Sequence, residues 1–251
     1  MKTRNYFLYI VICNILYSCN DNPTHTKTVL EYEDVTTHFP FESDVNQLSI
    51  LRNGSYHGDE ISTDIRMKKW MELIKIGNTY ALVNSSLRLN RVHDEILDED
   101  YEMSGWEVKT PHENNSVLLI EKYPFLKENE VKHIATNVHI DFGQEQSYSY
   151  QDIKYRLFAT GDKASDKNYR LYVEAEKNGE KRITLLVAIP QYDDKQTLIH
   201  FIGDIDNDGR LDFIIDCSSH YNAETLTLYL SQPTDAESLC VPVGQITSVG
   251  C

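Results

Sequence analysis

The chain has 251 residues, with 39 acidic against 24 basic side chains, a formal net charge of −15 and 41% hydrophobic content. That length suits one large domain or two small ones with a real core, and the composition excludes a disordered chain and a multi-span membrane protein. The acidity argues against a nucleic-acid partner, because phosphate backbones need clustered Lys and Arg, and it suits a cation-binding or highly soluble surface.

Lys2 and Arg4 open the chain as a basic leader, and residues 6–17 follow as an apolar run broken only by Asn14. A spanning helix needs about 20 apolar residues. A shorter run behind a basic leader describes a secretion signal. The run ends Leu16-Tyr17-Ser18-Cys19, which resembles the lipobox of bacterial lipoproteins, although Tyr17 is bulkier than the usual residue there. The resemblance implies a signal peptide over residues 1–18, cleavage before Cys19 and acylation of its thiol. A plain secretory signal with an incidental Cys is the alternative. An anchor of two or more acyl chains holds a protein stably at a bilayer. Removing residues 1–18 deletes Lys2 and Arg4 and no acid, which leaves 39 acids against 22 bases, or −17. Residues 19–40 then hold the lipidated Cys and a tether, polar from Asn20 to Lys27 with Pro23. Residues 41–251 read as a β-rich domain with a candidate subdivision near 140–147.

Trp70–Ile76, Gly77-Asn78 and residues 79–89 read as a hairpin, while Met67, Trp70, Met71 and Ile74 also fit helical spacing. Residues 92–101 read as an exposed acidic loop, 116–122 as a strand and 128–135 as one short helix. Ile153, Tyr155, Leu157 and Ala159 alternate with polar residues, as do Tyr169, Leu171, Val173 and Ala175, and later Leu226, Leu228 and Leu230. Such strips are half-buried strands. Asn178-Gly179 between two of these runs is a two-residue hairpin signal. Residues 183–189 are nearly all apolar, which predicts a strand buried on both faces. No stripe of helical period is sustained and no internal repeat of 20–50 residues is found. The fold class is all-β: mainly antiparallel, sandwich-like, with few short helices.

Asp204-Ile205-Asp206-Asn207-Asp208-Gly209-Arg210-Leu211-Asp212 places carboxylates at relative positions 1, 3, 5 and 9. A hard cation such as Ca²⁺ takes six to eight oxygens in a flexible cage. Alternate Asp residues on a tight turn aim at one centre, Gly209 permits the turn, and the Arg210 carbonyl supplies a further oxygen. An EF-hand needs a Glu at position 12 and flanking helices. Ile215 stands there, between strand-like flanks. Strand, Gly203 to Asp212, strand resembles the calcium loop of FG-GAP/VCBS-type repeats. That resemblance implies Asp204, Asp206, Asp208, Arg210 and Asp212 as ligands of a structural Ca²⁺. Its relatives build β-propellers from several such loops, but this chain carries a single copy, so a complete β-propeller is excluded.

Asp216, His220 and Asn222 form a candidate ligand-reading loop directly after the calcium strand, with Cys217 and two Ser between them. No Gly-x-Ser-x-Gly, Cys-Gly or His-Glu-x-x-His context accompanies it, so no catalytic residue is assigned. Of five Cys, Cys13 leaves with the signal and Cys19 is lipidated. Cys240–Cys251 is a candidate disulfide that an oxidising compartment permits, with no bridge as the alternative. Sixteen Tyr suit either contact surfaces or strand packing, and Tyr148, Tyr150, Tyr155, Tyr169 and Tyr172 are assigned to packing.

The sequence thus predicts a calcium-binding lipoprotein of the outer membrane or cell envelope, held at the membrane by its lipid and facing periplasm or exterior. Its role reads as non-enzymatic binding of an envelope protein, peptide or glycan, or as structural. The rival readings are an extracytoplasmic hydrolase acting on envelope or extracellular polymer, and an inhibitor-type lipoprotein.

Overall fold

Two turns show how local chemistry lays down the sheets. Asn178 and Gly179 both have positive φ, 54° and 84°, the type I′ pattern that matches strand twist. They join β11 (Lys167–Lys177) to β12 (Glu180–Gln191), with Lys177 opposite Glu180. Gly77 has φ 60° and joins β3 (Trp70–Ile76) to β4 (Thr79–Ser85), with Ile76 opposite Thr79. The helical alternative for this region fails. Met67 ends a 3-10 turn at Thr63–Met67, and Trp70, Met71 and Ile74 all lie on the strand.

The computed structural model describes residues 34–41, 45, 47–233 and 236–250, and these form one compact unit. The segment expected to be a signal peptide, Cys13, Cys19 and Cys251 lie outside the described residues, as does most of the expected tether. The remaining strands are β1 (Ile50–Leu51), β2 (Gly54–Tyr56), β5 (Arg88–Val92), β6 (Gly105–Lys109), β7 (Ser116–Glu121), β8 (Asn129–Val138), β9 (Glu145–Tyr150), β10 (Ile153–Asp162), β13 (Leu198–Asp204), β14 (Asp212–Asp216), β15 (Ala223–Ser231) and β16 (Cys240–Val249). Every pairing between these strands is antiparallel.

Nine strands form one sheet in the order β1-β7-β3-β4-β8-β13-β14-β15-β16. The amide of Leu48 donates to the Val243 carbonyl at 2.8 Å, which brings the two ends of the sheet together and nearly closes a barrel. Leu73, Leu82, Leu118, Phe201, Ile214 and Leu228 fill its interior. A four-stranded sheet, β12-β11-β10-β9, covers the outer face of β13–β15. Leu157, Leu171 and Val187 pack there against Phe213, Ile215 and Tyr229. A small third sheet, β2-β6-β5, shields a cluster around Trp70, Trp106 and Leu119. The architecture is therefore all-β and layered, and is not a propeller.

The strands β13–β15 face a core on each side. Phe213 and Ile215 point to one and Ile214 to the other, so the apolar run leading out of the acidic loop is explained. β15 departs from the half-buried expectation for the same reason: Thr227 and Tyr229 are as buried as Leu228. Each fully buried Leu or Phe here contributes about 1.5–3 kcal/mol of transfer free energy. The candidate boundary near 140–147 is the link from β8 to β9, where the chain passes from one sheet to the other. β8 pairs directly with β13, Val138 opposite Ile199, so the four-stranded sheet is an excursion within one unit.

Three local expectations are corrected. Residues 128–135 are not helical, and all but Glu128 belong to β8. The register of β8 shifts against β13 between Ile202 and Gly203, and Asn137 has φ 54°. These irregularities break the alternation that identifies a strand. Ile183 is 54% exposed, because the first half of β12 runs along an open sheet edge, and only the second half is buried. The acidic loop after β5 is not uniformly solvated. Buried Asp94 accepts the amides of Ile96 and Leu97 at 3.1 and 3.2 Å and lies 2.6 Å from His57 Nδ1.

The hydrogen bond to Asp94 raises the His57 pKa, and the same bond holds the Asp94 carboxyl below its ordinary range. A raised His stabilises fully below its unfolded pKa and loses that contribution as pH rises through the folded value. A lowered Asp contributes above its unfolded value and loses it as pH falls. The pair is therefore most stabilising in the mildly acidic window between them. NMR titration is expected to give a His57 midpoint above that of a free imidazole, and Asp94→Asn is expected to bring it down.

Candidate metal centre

Asp204 ends β13 and Asp212 begins β14. Seven residues turn between them, with Asn207 and Gly209 at φ 62° and 85°, values that Asn and Gly tolerate best. The turn directs its own amides at its carboxylates. Asp204 accepts from the amides of Asp208 at 3.0 Å and Gly209 at 2.9 Å, and Asp206 accepts from Asp208 at 3.2 Å. Asp208 accepts from the Arg210 amide at 2.9 Å. This folding brings one carboxylate oxygen each from Asp204, Asp206 and Asp208 within 4.8 Å of one another. Burial, then the charges of Asp208 and Asp204, push the Asp206 carboxyl up to about 6. The donor set fits a hard divalent cation, since it is all oxygen, multiply anionic and preshaped by backbone amides.

Asp212, a ligand by the resemblance, also has a structural role. It is fully buried, and its two oxygens accept the Ser231 amide at 2.8 Å and the Ile205 amide at 2.7 Å. It ties the loop to β15 and lies outside the converging trio. Burial first, then Asp206, push its carboxyl well above the ordinary range. Arg210, expected to offer its carbonyl, also brings its guanidinium: Nη2 lies 2.7 Å from Asp208 Oδ2.

Three further contacts come from other parts of the chain. The Tyr150 hydroxyl donates to Asp204 at 2.9 Å, Ser231 Oγ donates to Asp208 at 2.6 Å, and the Leu211 amide donates to the Tyr155 hydroxyl at 3.4 Å. Burial raises both tyrosines to about 12, so both hydroxyls stay neutral, Tyr150 as donor and Tyr155 as acceptor. The sequence assigned these tyrosines to packing alone; only the high Tyr count pointed toward them.

A second acidic group, His200, Asp216 and Glu224, sits toward the opposite ends of β13 and β14. A register irregularity between Ile199 and Phe201 sets His200 apart. Two cations already neutralise its acids. Lys195 Nζ is 2.7 Å from Asp216, and Arg52 Nη1 is 2.8 and 3.1 Å from the Glu224 oxygens. His200 Nε2, 3.4 Å from Glu224, and the charge of Arg52 hold Glu224 down to about 2. This group is a salt-bridge network.

The candidate ligand loop is spread out. Asp216 accepts the amides of Ser218 at 3.0 Å and Thr225 at 2.9 Å, so it closes a turn. His220 faces outward, 3.2 Å from Asp193, with its ring on Tyr221. The Asn222 carbonyl accepts the Gly250 amide at 2.8 Å. Asp216 and His220 thus turn to different partners. Burial pushes the Cys217 thiol up to about 12, which leaves it unreactive. Cys240 is a buried free thiol. It begins β16; its candidate partner, Cys251, lies outside the described residues.

No protein-family model, curated protein or solved structure matches the chain. No helix among the described residues is long and apolar enough to cross a membrane.

Proposed function

We propose that this protein is a lipid-anchored lipoprotein of the cell envelope whose single loop at 204–212 binds Ca²⁺, and that it works as a non-enzymatic binding or structural module. The convergence of three carboxylates within 4.8 Å at one turn carries this reading. Three like charges faced by the single guanidinium of Arg210 leave a net negative centre, which a divalent ion relieves. The ion would be held by Asp204, Asp206 and Asp208, and it supplies charge neutralisation where the two large sheets meet. Asp212, Tyr150 and Ser231 position the ligands. The buried, high-pKa Cys217 and the dispersed Asp216 and His220 support a binding role over nucleophilic chemistry. The partner proposed is an envelope protein, peptide or glycan, with no nucleic acid.

The anchor rests on the resemblance at Leu16-Tyr17-Ser18-Cys19. Cys19→Ala is expected to abolish metabolic labelling with a tagged fatty acid and to move the protein out of the membrane fraction. Full labelling of that variant would remove the anchor from the proposal. Calcium titration of the chelator-treated protein by calorimetry tests the metal, with one ion per chain expected.

A further inference from the structure

The seam of the barrel leaves a short stretch of strand edge open. β16 ends the nine-stranded sheet, so β15 occupies only one of its two edges. The other edge is covered at each end. The Leu48 amide donates to the Val243 carbonyl at 2.8 Å, and Glu60 Oε1 accepts the Val249 amide at 2.7 Å. Thr247 lies between these points, opposite Thr225 of β15. The amide of Thr225 donates to Asp216 at 2.9 Å, and its carbonyl accepts the Cys217 amide at 2.8 Å. Both backbone groups of Thr225 therefore face β14, and its pair with Thr247 exchanges no backbone bonds. The amide and carbonyl of Thr247 thus point away from β15. Thr247 is exposed, and among the described residues no turn, loop or side-chain acceptor takes its amide. An open edge of this kind is a template for a further strand.

A groove of about 660 Å³ runs along this edge, lined by Ile246, Thr247 and Val249 of β16 and by Ile96 and Leu97 of the loop after β5. Ile96 and Leu97 are 60% and 59% exposed, yet Asp94 holds both of their amides. Asp98 pins the same loop through the amides of Asp94 at 2.8 Å and Ser104 at 2.7 Å. Two large apolar side chains are therefore held out to water on a fixed backbone, which lowers the ordering cost of binding. Residues 94–102 contain six acids and no Lys or Arg. Asp59 and Glu60 carry the same sign into the groove, and among the described residues no Lys or Arg lines it. This field repels a second copy of the chain and attracts a cationic segment.

We propose that the groove takes up an extended peptide segment alternating basic and apolar side chains, which adds as a strand to β16 at Thr247. Its apolar side chains rest on Ile96 and Leu97, and its basic ones face Asp59 and the acids of the loop. This rests on the binding reading above and names the chemistry of the partner; it is independent of the calcium loop.

Titration of the full chain with a blocked heptapeptide alternating Lys and Val tests this, read by calorimetry and NMR. The comparison probes are its Glu/Val counterpart and two Lys/Val peptides, one N-methylated at every Val and one at every Lys. The Lys/Val peptide is expected to bind once per chain, to shift the methyl resonances of Ile96 and Leu97, and to slow exchange of the Thr247 amide at least tenfold. The Glu/Val peptide is expected to bind at least tenfold more weakly. One methylated peptide is expected to lose at least tenfold and the other to keep its affinity, because only one edge of the added strand meets β16. Thr247→Pro is expected to weaken binding at least tenfold with the melting temperature nearly unchanged, since proline is tolerated where an N–H faces out of a sheet edge. Leu97→Ser is expected to weaken it threefold or more. Absence of binding, equal affinity for the Glu/Val peptide, or methyl shifts elsewhere would overturn the groove. Equal behaviour of the two methylated peptides, or indifference to Thr247→Pro, would overturn strand addition. Protection of the Thr247 amide that grows with protein concentration and needs no peptide would give the edge to a second copy instead. Chelation of calcium is expected to leave peptide binding unchanged, so this proposal and the metal reading fail separately.

Discussion

Adding calcium to the chelator-treated protein is expected to raise its melting temperature, and Asp206→Ala or Asp208→Ala is expected to remove that gain. Extracellular calcium modules bind at about 10⁻⁴–10⁻³ M. At a hundredfold excess over such a Kd, binding stabilises by about 2.7 kcal/mol, or roughly 5–10 °C for a domain of this size. The energy has an identifiable source. Asp206 is pushed up to about 6 by burial and by Asp208 and Asp204, so in the metal-free fold its ionisation is unfavourable. A carboxyl whose folded pKa exceeds its unfolded value costs stability as pH rises from about 4 through 6. The calcium-dependent gain is therefore expected to shrink as pH falls through about 6, where a proton takes the cation's place. Asp206→Ala should raise the metal-free melting temperature slightly at pH 7.5 while abolishing the response to calcium. Scanning calorimetry in chelator and in calcium, at pH 5 and pH 7.5, measures all of these. An unchanged calcium response in both variants would remove the metal centre.

Gly244→Val is expected to lower the melting temperature by roughly 6–12 °C, the equivalent of about 3 kcal/mol. Gly244 sits where β16 meets the strand that nearly closes the barrel. A Cβ there would lie 2.7 Å from the Leu48 carbonyl oxygen and 2.9 Å from Ile50 Cγ2. The first neighbour is backbone, so relief requires the two strands to part. Parting them strains the bond from the Leu48 amide to the Val243 carbonyl. The amide of Leu48 should then exchange with solvent much faster in the variant. Thr247→Val on the same strand, where the side chain is exposed, is expected to stay within about 0.5 kcal/mol of the parent. Equal melting temperatures for the two variants would show that the close approach at Gly244 is not needed.

What was legible in the sequence was local. Asn178-Gly179 and Gly77-Asn78 announced hairpins because positive φ is a property of one or two residues. The acidic loop was legible because its carboxylates lie on consecutive turns of the same short segment. β8 was not legible, because a register shift and the left-handed Asn137 interrupt its period-two pattern. Nor was the buried carboxylate of Asp94, whose partner His57 lies 37 residues away. The support of the metal centre was hidden for the same reason. Tyr150 is 54 residues from Asp204 and Ser231 is 23 from Asp208; only tertiary pairing brings them together. Asp212 shows another limit: its spacing fits a ligand, while its burial and its ties to the amides of Ile205 and Ser231 were not legible in that spacing.

The three strands β13–β15 serve as a party wall between the barrel interior and the core under the four-stranded sheet. Neither compartment can melt alone without stripping one face of a wall that the other still needs. Loss of the two cores is therefore one cooperative event, read as a single calorimetric transition. The wall also sets the order of assembly. β8 and β13 pair across the whole excursion from residue 139 to 197, so this seam carries a large loop-closure entropy until the intervening meander has formed. Because the loop at 204–212 caps one end of the wall, a cation bound there acts on the stability of both compartments at once.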